Sequence, residues 1–151
     1  MLYQSTRDAS LALTAAEAIA RGLSRDGGLF VPAELPALPG GAIEALAAMP
    51  YRDRAVYVMK LFLDDFSEEE LDGYAGQAYG GEKFSHAEIA PVRAYDENTH
   101  FLELWHGPTS AFKDMALQML PHFLTASLEK TGETRDVCIL VATSGDTGKA
   151  A

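Results

Sequence analysis

The chain has 151 residues, 48% of them hydrophobic, with 22 acidic against 12 basic side chains and a formal net charge of −10. That length suits one medium domain, or a small domain with part of another, and the apolar content is too high for global disorder. The excess of negative charge repels phosphate backbones and anionic lipid, which argues against nucleic acid and membrane surfaces as partners, and no run reaches the roughly 18 apolar residues of a membrane helix.

In chain order, the opening MLYQSTRDAS is polar and charged where a secretion signal needs an apolar core, so no such signal is expected. LTAAEAIARGLS predicts a helix from about Thr14, stopped by Gly22, with Thr14 and Glu17 spaced as a capping box. RDGGLFVPAELP combines turn chemistry with a brief extended run ended by Pro32. LPGGAIEALAAM predicts a turn into a second short helix, and DRAVYVMKLFLDDF, apolar nearly all round, predicts a buried helix. SEEELDGYAGQAYG opens on a second capping box, Ser67 with Glu70, and ends near Gly80. PVRAYDENTHFLELWH reads as two strands joined at Asp96-Glu97-Asn98.

Phe112, Met115, Ala116, Met119, Leu120, Phe123 and Leu124 then recur at helical spacing, with Pro121 predicting a kink or break. TGETRDV is a loop. VCILVAT, Val137 to Thr143, has the apolar, β-branched composition of a strand buried on both faces of a parallel sheet, and it runs into a Gly-rich turn that should open a helix. The chain therefore reads as cut inside a βα unit, with a domain boundary around Gly80 to Lys83. The one cysteine, Cys138, falls in this apolar run and is expected to be a buried thiol of a reducing, cytoplasmic compartment.

Three segments carry candidate chemistry. In HGPTSAFKDMAL, Lys113 stands in the first turn of the predicted helix, where the macrodipole disfavours a cation; a free amine is what Schiff-base chemistry with a carbonyl compound requires. Phe112 beside it offers a flat ring to a flat cofactor. The ordinary alternative is a solvated surface lysine. In ATSGDTGKAA, backbone N–H groups of Thr143, Ser144, Gly145, Asp146 and Thr147 precede a helix and suit a carboxylate or phosphate; the alternative is a plain βα turn. A nucleotide P-loop is a poor match, because Thr143 stands where glycine is needed and Ala150 where serine or threonine is needed. In YQSTRD, Ser5, Thr6 and Arg7 could hold an anion or form a simple N-terminal turn. His106 is either a site residue or a hydrogen-bonded histidine at a strand end. No spacing suggests a metal site.

Taken together, HGPTSAFKD and TSGDTGKAA resemble the two hallmark segments of the threonine synthase family, and YQSTRD with EAIARGLSRDGGLFVP resembles its N-terminal domain. The resemblance covers nearly the whole chain. It implies an α/β architecture: a helical N-terminal domain, residues 1–82, then the start of a tryptophan synthase β-like (fold type II) pyridoxal-phosphate domain, residues 83–151. It implies an enzyme converting the small molecule O-phosphohomoserine and water to threonine and phosphate. By the match, Lys113 carries pyridoxal phosphate as an aldimine and Phe112 packs on its ring. Thr143, Ser144, Gly145, Asp146 and Thr147 receive the substrate carboxylate. Asp146 stands where the wider superfamily usually has asparagine, so N–H groups and hydroxyls would do the holding. Arg7 is the expected partner of the substrate phosphate. The family's glycine-rich phosphate loop and the partner of the pyridine nitrogen are absent from these 151 residues, so this chain by itself is expected to be inactive. A related phospho-lyase and a non-catalytic interaction module are the alternative readings.

Overall fold

The computed structural model describes residues 1–151 and is a mixture of helices with two small antiparallel sheets. The first sheet pairs β1 (Tyr3–Ser5) with β2 (Phe30–Pro32), Gln4 opposite Val31. Between them lies α1 (Ala15–Arg21), which starts at the predicted capping box: the Thr14 side chain accepts from the Glu17 N–H, and the Glu17 carboxylate accepts from the Thr14 N–H. Asp65 reaches back from a distant loop to accept from the Ala16 N–H at 2.8 Å, satisfying another open donor of the same helix end.

Three helices follow: α2 (Ala42–Ala47), α3 (Tyr51–Phe62) and α4 (Glu68–Tyr79), the last opened by the Ser67–Glu70 capping box. The second sheet pairs β3 (Val92–Ala94) with β4 (His100–Leu102), Arg93 opposite Phe101. Its turn is closed by the Asp96 carboxylate, which accepts from the Asn98 and Thr99 N–H groups. The single helix expected from Phe112 onward is two: α5 (Asp114–Leu117) and α6 (Leu120–Thr131), with Pro121 in the first turn of α6, where its missing N–H costs nothing. The last element is α7 (Asp146–Ala150).

The core lies where α1, α3, α4 and α6 meet. Ala15 and Ala16 of α1, Val56 of α3, Leu71 and Ala75 of α4 and Ala126 of α6 surround Leu63 and Phe66. Small residues on α1 and α6 let those helices approach closely. Phe66 meets Phe123 edge-on at 5.8 Å. Burying Phe66 and Leu71 contributes roughly 1.5–3 kcal/mol each.

Three expectations are corrected. Val137 to Thr143 is not a strand and is exposed, Leu140 at 91%. A ladder needs a neighbouring strand, and neither two-stranded sheet supplies one here. For the same reason Cys138 is exposed rather than buried. Finally, α3 is not buried all round: only Val56 is fully covered, and Val58 is exposed, because α3 is packed mainly on one side, against α4.

Candidate active site

Lys113 is reached through a chain of local constraints. After β4, His106 is pinned between two partners: its Nε2 lies 2.7 Å from Glu103 and its Nδ1 lies 3.0 Å from the Ser85 hydroxyl. The Ser85 N–H also donates to the His106 carbonyl at 2.8 Å. His106 is thus a hydrogen-bonded histidine just past a strand end. The chain then turns tightly, with the Ser110 N–H donating to the Gly107 carbonyl and Ser110 itself at φ 58°, in the left-handed region.

Lys113 occupies the N-cap of α5, one position ahead of the expected first turn. It is half-buried, and its Nζ sits 4.3 Å from the centroid of the Phe112 ring. Phe112 is 54% exposed, so much of that ring stays open. The helix is tied to α4 by the Tyr79 hydroxyl, which donates to the Met115 carbonyl at 2.6 Å. Burial, with Tyr51 close by, pushes the Tyr79 phenol well above its ordinary value, so it remains a donor across the physiological range.

The other candidates lie elsewhere. Thr143 Oγ1 accepts from the Gly145 and Gly148 N–H groups, each at 3.1 Å, so one of the donors of the 143–147 loop is already engaged. Ser144, Gly145 and Asp146 are exposed and Thr147 is half-buried. Arg7 donates from Nη1 to the Asp26 carbonyl at 2.9 Å and makes no ion pair. Around it YQSTRD and SRDGGL interlock: the Ser5 hydroxyl donates to Asp26, and Thr6 Oγ1 accepts from the Leu29 N–H. The Gly28 N–H bond and then the Ser5 hydroxyl hold the Asp26 carboxyl below its ordinary value. A Cβ on Gly28 would stand 2.1 Å from the Ser5 hydroxyl oxygen, which explains the glycine. No hydrogen bond or ion pair joins Lys113, Arg7 and the 143–147 loop to one another. A cavity of about 720 Å³ lies between α1 and the end of α6 and does not include Lys113. No group of histidine, cysteine and carboxylate side chains is arranged to hold a metal ion, and no helix is long and apolar enough to cross a membrane.

The sequence reading missed Asp114. Its side chain is wholly buried, with both oxygens bonded to Thr109. The available signal was an acidic residue in the first turn of an apolar helix, five positions after a threonine.

The family model described as "Threonine synthase N terminus" matches residues 2–79. The chain belongs to the threonine synthase family. The threonine synthase of Schizosaccharomyces pombe is 41% identical over 157 residues, covering 99% of this chain and 30% of that protein. The crystal structure of threonine synthase from Escherichia coli superposes with a TM-score of 0.85 at 31% identity, over 99% of this chain and 33% of the other. That of pyridoxal-phosphate-bound threonine synthase from Brucella melitensis gives 0.81 at 36% identity, over 88% and 28%. The chain thus spans about a third of the length of the threonine synthases it matches, and the α/β architecture is that of the family's N-terminal portion.

Proposed function

We propose that residues 1–151 are the N-terminal part of a pyridoxal-phosphate-dependent threonine synthase that converts O-phospho-L-homoserine and water to L-threonine and phosphate. Residues 1–82 form its N-terminal domain and residues 83–151 begin its catalytic domain. The observation that carries this reading is the pairing of Lys113 with Phe112. A planar aldehyde cofactor asks for an amine beside a flat apolar face, and here an amine stands 4.3 Å from the centre of a half-open aromatic ring. The donor set fits the group.

Pyridoxal phosphate, when bound, supplies an electron sink that loosens protons on the substrate carbons and lets phosphate leave. Lys113 would hold the cofactor through its amine, and the same amine would hold or move protons at Cα and Cβ of the substrate. Phe112 packs on the cofactor ring. Thr143, Ser144, Gly145, Asp146 and Thr147 receive the substrate carboxylate through N–H groups and hydroxyls, since the Asp146 carboxylate would repel it. Arg7 is assigned to the substrate phosphate; its support is an exposed guanidinium that makes no ion pair in a chain of net charge −10. A cytoplasmic setting belongs to the same proposal, supported by the single cysteine.

The test is an assay of the complete enzyme with pyridoxal phosphate and O-phosphohomoserine. Threonine and phosphate should form in equal amounts. Phosphate without threonine would assign the related phospho-lyase activity, and release of neither would overturn the reading.

A further inference from the structure

Asp114 has no exposed surface, so it cannot touch a substrate. A buried carboxylate is costly unless its oxygens are hydrogen-bonded. Here the Thr109 N–H donates to Oδ2 at 2.9 Å and the Thr109 hydroxyl donates to Oδ1 at 2.8 Å. The approach is close: a Cβ on Gly107 would stand 2.4 Å from Oδ2, so only glycine fits there. Residues 107–114 therefore fold around one carboxylate, with Ser110 held at φ 58° and the Asp114 N–H returned to the Ala111 carbonyl. The helix itself cannot hold this shape, because four residues are far too few for a self-supporting helix.

We infer that Asp114 is the positioning residue for Lys113: the Asp114–Thr109 pair, rather than α5, fixes the backbone from which the Lys113 amine projects onto the Phe112 ring. This rests on the reading of Lys113 as the cofactor amine and adds what places it there. The carboxylate acts through the loop and takes no part in chemistry.

The inference is tested on the chain itself by competitive acetylation with trace acetic anhydride, the label on each lysine being read by peptide mass spectrometry. Lys60 on α3 and Lys130 on α6 serve as internal standards, since they are held by the Phe66 carbonyl and by Glu70, outside the loop. In Asp114→Asn the charge is lost and one acceptor becomes an amide N–H, at nearly unchanged volume, so the Thr109 N–H and hydroxyl can no longer both donate to a carboxylate and the hydroxyl must turn to accept. Thr109→Val removes the hydroxyl donor. Loss of one such bond should speed Lys113 labelling about fivefold relative to the standards, while Thr109→Ser, which keeps the hydroxyl, should label like the parent. An unchanged Lys113 ratio in both Asp114→Asn and Thr109→Val overturns the inference. So does a rise of all three lysines together, which would mean general loosening. Should Asp114→Asn fail to fold, the Thr109→Val and Thr109→Ser pair decides alone. The labelling uses no pyridoxal phosphate, so its failure and failure of the enzymatic assay are separate results.

Discussion

His122 shows a single side chain coupling two helices to pH. Its ring stacks on Tyr74 at 5.5 Å and 9°, joining α6 to α4. Burial, and then the Lys83 charge, hold its imidazole below the ordinary value of 6.5. The unfolded chain therefore takes up the proton first, so the contribution is complete above about pH 6.5 and is lost as pH falls through the lower folded value. Thermal melts should show Tm declining below pH 6.5, and His122→Gln should flatten that decline; an identical slope in the variant would remove His122 as its cause. At this scale the sequence was legible where local chemistry names the role. Lys113 and Phe112 were found because an amine and a ring follow a tight turn. Asp114 was not, because an acidic residue in a first helical turn is ordinarily solvated, and only the close approach of Gly107 and Thr109 makes it different. Arg7 was noticed, yet its bond to the Asp26 carbonyl depends on a loop 19 residues away, which no local pattern reveals.

Among elements, helix starts were the most legible feature, since a cap is a contact between residues three apart. Ser67 and Glu70 satisfy each other's N–H groups as their spacing predicts, and Glu70 adds an ion pair to Lys130 of α6 at 2.9 Å. Ser67→Ala should cost about 1 kcal/mol, read as a lower midpoint in urea unfolding; an unchanged midpoint would mean that this helix end is held by other contacts. Element burial was less legible. The apolar pattern of α3 says that it packs, but not how many neighbours cover it, and one face stays open. Val137 to Thr143 has strand composition without strand structure, since a ladder is a property of two segments and only one is present. Pro121 was read correctly as a break, because its ring forbids a helix interior and favours a helix start.

For the whole molecule, packing cuts across the proposed division at residues 82 and 83. Ala126 and Phe123 of α6 join a core otherwise built from the first 82 residues, a long-range contact beyond the reach of periodicity. No residue after Ser127 is buried. A chain of residues 1–131 should therefore melt within about 2 °C of residues 1–151, whereas one ending at residue 119, without α6, should melt at least about 8 °C lower; calorimetry of the three chains checks both statements. The family's N-terminal portion thus carries its own helical core and presents Lys113 at the edge of it. The most direct test of that central claim is borohydride reduction of the complete enzyme with pyridoxal phosphate, followed by peptide mapping. The reduced cofactor should be found on Lys113 and lost in Lys113→Ala together with turnover. Label on another lysine, or near-normal turnover in Lys113→Ala, would contradict the account.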